Sequence, residues 1–280
     1  MFLGYNTNGL AHHAFPDAVD VLARWGYRAV GITLDHDLLR REGEVFTFRT
    51  PPEAMAELLE KHAFRSVVET GARFLLDPFG KHSPNLLHPD PQKRRLRQNY
   101  YRAAVTLASV LRSDGVSLWS GAAESDEPEE TLFSRLATEL RELLDFAGEQ
   151  GVSVMFEPEP GMLVDTLARF DRLLDALGDA AARLALTLDT GHLYCQREPF
   201  RENILRYRDR LRNVHLDDAV RDLHEHRRFG EGEISFAEIF DALREIGYAG
   251  GVYVELSRHS AAGVETARDA MAFLKNFRFP

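Results

Sequence analysis

The sequence predicts an α/β protein, a closed (β/α)8 TIM barrel forming one domain over residues 1–280. Three observations predict it. Eight short aliphatic or β-branched runs each precede a longer segment with apolar residues at helical spacing, the alternation that builds a parallel sheet from βα units. The length of 280 residues suits a closed barrel, whose usual size is about 250. Finally, "GYNTNG" after the first run is a poor match to the glycine-rich phosphate loop of an open doubly wound sheet, and no Pro/Gly/Ser-rich linker divides the chain.

The expected strands are "FLGYN" (2–6), "AVGITL" (29–34), "RSVVET" (65–70), "GVSLWS" (115–120), "VSVMFEPE" (152–159), "LALTLD" (184–189), "LRNVHL" (211–216) and "GVYVEL" (251–256). Several intervening helices announce their ends. In "TPPEAMAELLEKH", Thr50 is an expected N-cap, Pro51 the first helical residue and Glu53 the partner that satisfies a free amide. "SFAEIFDALREIG" repeats the device with Ser235 and Glu238 and stops at Gly247, with Phe236, Ile239, Phe240, Leu243 and Ile246 on one face. "DTLARFDRLLDALG" reads as a helix from Asp165 to Gly178. The long irregular stretch 71–92 follows the third strand, where barrels carry active-site loops, and is a candidate lid. "PQKRRLRQNYYR" reads as the solvated opening of the third helix, with only Leu96 and Tyr100 turned inward.

Composition narrows the function. Lys plus Arg is 34 against Asp plus Glu at 44, a formal net charge of −10, which gives no global attraction to nucleic acid. The one cysteine, Cys195, allows no internal disulfide or thiolate metal cluster and fits a reducing cytoplasm. "MFLGYNTNGL" lacks the basic and long apolar segments of a signal peptide, and no run approaches the roughly 20 apolar residues of a membrane span. The expectation is a soluble cytoplasmic protein.

Chemistry concentrates where apolar strands stop. Glu157, Asp189, His215 and Glu255 each end a strand, the fifth to the eighth in turn, so a closed barrel points all four into one bowl at its C-terminal face. Three carboxylates gathered in a partly desolvated bowl repel one another unless a cation compensates them. A divalent metal does so, and three oxygen ligands with one imidazole suit Mn²⁺, Mg²⁺, Co²⁺ or Zn²⁺ alike. His192, with His224 and His226 from the loop "RDLHEHRRFGEGEIS", offers a second metal site or contacts to substrate hydroxyls. Glu69, Arg73 and Trp119 suit a polar and aromatic wall for a small hydroxylated ligand. Asn6, Asn8, His12 and His13 follow the first strand and are candidates to line the bowl, and Lys81 and His82 sit in the candidate lid.

"VMFEPEP", "LTLDTGH", "NVHLDD", "RRFGEGEI" and "VYVELS", in that order and at barrel spacing, resemble the xylose isomerase-like TIM barrel superfamily, which includes sugar phosphate isomerases and epimerases, inosose dehydratase and endonuclease IV. The resemblance implies one metal held by Glu157, Asp189, His215 and Glu255, with His192 on substrate or a further metal. It also implies an enediolate mechanism in which Glu157 and Glu255 remove and return a carbon-bound proton. One departure is informative: His226 stands where the sugar epimerases carry a substrate-gripping arginine. Endonuclease IV has a histidine there, but its third-strand and fourth-strand zinc histidines have no counterpart in "VVETGAR" and "SLWSG". The reading is therefore a metal-dependent isomerase or epimerase of a small carbohydrate-like substrate, with no membrane partner. The alternatives are a zinc phosphodiesterase of the endonuclease IV type, a dehydratase, and a metal or sugar binding protein without turnover. Barrels of this kind often pair, so a homo-oligomer is compatible.

Overall fold

The computed structural model describes residues 1–277. The barrel strands are β1 (Phe2–Asn6), β2 (Ala29–Thr33), β5 (Arg65–Glu69), β6 (Val116–Leu118), β7 (Val154–Phe156), β8 (Leu184–Asp189), β9 (Leu211–Leu216) and β12 (Gly251–Val254). They close in the order β1-β12-β9-β8-β7-β6-β5-β2, the eight-stranded barrel the alternating pattern predicts. β2, β6, β7 and β12 are buried throughout, as expected where one strand face fills a barrel and the other lies under helices. Two antiparallel hairpins stand outside this sheet, β3 (Leu39–Glu42) with β4 (Val45–Phe48) and β10 (Asp218–Val220) with β11 (Leu223–Arg227). Neither is expected from the sequence: "RDLHEHRRF" reads as a charged loop, and the structure turns it into a strand carrying His224 and His226.

The helices are α1 (Phe15–Trp25), α2 (Pro52–Lys61), α3 (Pro91–Leu111), α4 (Glu129–Glu149), α5 (Leu167–Leu177), α6 (Thr190–Cys195), α7 (Phe200–Arg206), α8 (Phe236–Glu245) and α9 (Gly263–Leu274). Their ends follow local chemistry. Asp90 accepts from the Gln92 amide to open α3, and Thr166 accepts from the Arg169 amide to open α5, one residue beyond the expected Asp165. α2 begins at Pro52, so the helix starts one residue later than the Thr50 cap requires, its first backbone bond running from the Met55 amide to the Pro51 carbonyl. Ser235 does stand at the N-cap of α8, but its hydroxyl makes no capping bond. Among the described residues no helix is long and apolar enough to cross a membrane.

The chain forms two compact units, one of residues 1–32, 57–66 and 186 onward, the other of 33–56 and 67–185. In the first, β1, β12, β9 and β8 pair in parallel, and the register sets Asp189 opposite His215, and His215 opposite Tyr253. Glu255 follows β12 directly, and its amide donates to the Leu216 carbonyl. The ends of three consecutive strands therefore reach the same level. In the second unit β5, β6 and β7 pair in parallel, and the Glu157 amide donates to the Leu118 carbonyl. There α3 departs from expectation: Tyr100 is buried but Leu96 only half so, while Arg97 is 1% exposed and Gln98 is also buried.

Candidate metal centre

Asp189, the last residue of β8, is fully buried and serves two neighbours. Its Oδ1 accepts from the His192 amide at 2.8 Å, capping α6 and turning the chain sharply after the strand. Its Oδ2 lies 3.9 Å from Nδ1 of His215. The same ring nitrogen is 2.8 Å from Oε2 of Glu255. One ligand atom from each of Asp189, His215 and Glu255 thus falls within 4.8 Å of the others. The Glu255 oxygens are held from the first strand, Oε1 by Nδ2 of Asn8 at 2.8 Å and Oε2 by Nδ2 of Asn6 at 3.3 Å. Burial alone would raise the Glu255 carboxyl, but the His215 charge and hydrogen bond, then His226 and Asn8, hold it well below the usual carboxylate range. Close approach here demands a glycine: a Cβ on Gly31 would lie 1.7 Å from Oδ1 of Asn6.

These donors fit a divalent cation. A buried carboxylate, a half-buried one and a buried imidazole offer hard oxygens and one borderline nitrogen, and without a positive charge the two anions oppose each other in a partly desolvated site.

A second cluster adjoins Asp189 in the chain. His192, on α6 rather than on the strand, sets its Nε2 3.1 Å from Nε2 of His224, and one nitrogen from each of His192, His224 and His226 falls within 4.8 Å of the others. Burial, followed by the charges of His224 and His226, pushes the His192 imidazole well down, so it stays neutral and able to accept or ligate. His226 behaves oppositely: burial would lower it, but Nδ1 stands 2.8 Å from Oδ2 of Asp217, and that carboxylate raises it above the ordinary imidazole range.

The other unit carries the remaining expected contacts. Glu157 and Glu69 are buried, each closely following or ending its strand. Trp119 is buried and meets the His82 ring edge-on, the centroids 5.3 Å apart. Nδ1 of His82 donates to the Gly71 carbonyl at 2.6 Å, and its backbone amide donates to the Arg73 carbonyl at 2.7 Å. Arg73 itself pairs with Asp35 at 2.6 Å. Lys81 is exposed, His12 is exposed and His13 half-buried. From α3, Arg97 donates to the carbonyls of Pro84 at 2.7 Å and His82 at 2.6 Å, fixing the base of the long loop.

With this geometry in place, comparison with known proteins becomes decisive. The family model described as xylose isomerase-like TIM barrel matches residues 19–277. The chain belongs to that family. An inosose dehydratase from Lacticaseibacillus casei is 32% identical over 146 residues, 46% of this chain and 48% of that protein. A fructoselysine 3-epimerase from Shigella flexneri is 25% identical over 173 residues, 61% of this chain and 63% of that protein. The chain thus spans about half the length of the first of these relatives and under two thirds of the second. Among solved structures, a D-allulose 3-epimerase from Methylomonas sp. superposes with a TM-score of 0.77 at 17% identity, covering 99% of this chain and 97% of that one. An IolI protein with a bound zinc atom gives 0.77 at 16% identity over the full length of both chains. At those identities the likeness is one of fold.

Within this family member, three acidic residues escape the sequence reading. Asp35, just after β2, obeys the same strand-end rule as Asp189 and could have been flagged by it. Asp217 and Asp218 follow β9 in "NVHLDD", a motif in which the sequence reading singles out only His215. Both are buried. Asp218 organises the "FGEGEI" turn: Oδ2 accepts from the amides of Gly230 and Gly232, and Oδ1 from those of Ala219 and Ile234, all within 2.8–3.1 Å.

Proposed function

We propose that this family member is a divalent-metal-dependent isomerase or epimerase of a small sugar, sugar phosphate or polyhydroxy keto compound, acting in the cytoplasm as one barrel domain over residues 1–280. The observation that carries the reading is the convergence of buried Asp189 and His215 with half-buried Glu255. Glu157 is the proposed fourth ligand, supported by its burial, its place directly after β7, and the strand order that sets β7 beside β8. A bound Mn²⁺, Mg²⁺, Co²⁺ or Zn²⁺ would supply Lewis acidity beside a substrate carbonyl and balance the carboxylate charge.

This chain's own residues do the rest. Glu255, kept ionised by His215 and steadied by Asn6 and Asn8, is set to take a proton from the carbon next to a carbonyl, leaving an enediolate. Glu157 returns a proton to complete an epimerisation, so the two glutamates exchange acid and base roles. His192, His224 and His226 are proposed as contacts to substrate hydroxyls or ligands of a second cation. Asn6, Glu69, Arg73, Lys81, His82 and Trp119 are proposed as substrate contacts, with the Trp119 and His82 rings offering an apolar surface to sugar C–H groups.

The test joins metal analysis to exchange. One ion per chain, with deuterium entering carbon when ketoses are incubated in D₂O, is the expected result, and E255Q is expected to lose at least about 100-fold of the exchange rate while keeping its fold. Full exchange in E255Q would remove its assigned role.

A second reading is a dehydratase that begins with the same proton abstraction and then expels water, favoured by the identity to inosose dehydratase over about half its length. Loss of water from an inosose without deuterium incorporation into recovered substrate separates it from the first. The clustered imidazoles favour a third, a phosphodiesterase of the endonuclease IV type. Two zinc ions per chain with cleavage of abasic-site DNA would put that one first.

A further inference from the structure

We infer that Asp217 is a positioning residue for His226: it holds the imidazole by Nδ1, so that Nε2 is the ring nitrogen left to meet a ligand. The functional weight of this rests on the proposed role of His226 at the site, but the geometry does not.

Asp217 follows β9, is 1% exposed, and is clamped on two sides. Oδ1 accepts from the Gly191 amide at 2.8 Å, in the first turn of α6, and Oδ2 takes the His226 ring at 2.8 Å from β11. The Thr190 hydroxyl donates to the Asp217 carbonyl at 3.1 Å. Gly191 leaves the room this needs, since a Cβ there would lie 2.4 Å from Oδ2. The strand bearing His226 is pinned as well: Nε2 of His259 donates to the His226 carbonyl at 3.1 Å, and Asp218 ties down the following turn. A carboxylate oxygen can only accept, so the proton on Nδ1 is fixed whether the ring is neutral or charged. The ring centroid stands 5.8 Å from that of His192 and 5.4 Å from that of His224. A ring free to turn would present either nitrogen; this one presents Nε2.

The experiment is a double-mutant cycle of D217N and H226Q, read by ¹⁵N-resolved imidazole NMR and by the ketose exchange rate. In the wild type a hydrogen-bonded Nδ1–H signal is expected that is lost in H226Q and is separate from those of His82 and His215; in D217A, which has no side-chain acceptor, it should disappear or become mobile, while in D217N, whose oxygen can still accept, it should shift and the thermal midpoint stay close to the wild type. The exchange rate is expected to fall about 10–100-fold in D217N and by no further factor when D217N is added to H226Q. An unchanged Nδ1–H signal in D217A would overturn the inference, as would equal losses from D217N in both backgrounds, which would mark Asp217 as an anchor for α6 alone. If the wild type exchanges no deuterium, the functional reading fails while the NMR comparison still decides the positioning.

Discussion

His82 shows what a single half-buried side chain adds to the physics of a loop. Burial, with smaller contributions from Lys81, Arg97 and Arg73, lowers its imidazole to about 4, although the Gly71 carbonyl works in the other direction. In the unfolded chain the ring titrates near 6.5. Between those two values the unfolded state binds more protons, so stability from this group is complete above 6.5 and drains away as the pH falls toward 4. Denaturant midpoints measured across that window are expected to decline more steeply for the wild type than for H82Q. Parallel profiles would show that folding does not disfavour the protonated ring. Nothing in "FGKHSP" announces this: burial of His82 depends on Trp119 in a different βα unit and on Arg97 reaching back from α3. Asp189, His215 and Glu255 were legible as neighbours because each closes an apolar run on adjacent strands. Arg97 was not, since its surroundings in "KRRLRQ" are those of a solvated helix face.

At the scale of elements, the barrel strands were readable because continuous burial writes a continuous apolar run, and the expected and observed boundaries agree within three residues. The hairpins hid for the opposite reason. β11, "LHEHR", has neither apolar alternation nor full burial, and its order comes from partners elsewhere: Asp217 on His226, His259 on a strand carbonyl, and Asp218 on the turn beyond. Gathering four backbone amides on one buried carboxylate makes Asp218 the keystone of residues 218–234. D218A leaves those donors without their acceptor and is expected to cost about 3 kcal/mol, the scale of losing charge-assisted hydrogen bonds to a buried carboxylate. Amide exchange at Gly230, Gly232 and Ile234 should quicken in the variant well beyond that in α8. Unaltered protection at those three amides would mean the turn is fixed by something other than Asp218.

For the whole molecule, closing parallel strands into a barrel brings their carboxyl ends to one rim, and residues tens of positions apart become neighbours. The Asp189–His215–Glu255 cluster was foreseeable from that rule, and the family from the resemblance of the motifs that surround these residues. An ion that binds only the folded barrel must stabilise it, by about 2.7 kcal/mol at a hundredfold excess over its dissociation constant. The wild type should therefore melt higher with Mn²⁺ or Zn²⁺ than after chelation. D189N separates the ion from the fold, because its side-chain oxygen can still accept from the His192 amide while one buried negative charge is removed. The chelated variant is expected to be no less stable than the chelated wild type, yet to gain little on adding the ion. A full ion-induced rise in D189N would show that the cation is held without Asp189, and the proposed metal centre would have to be abandoned.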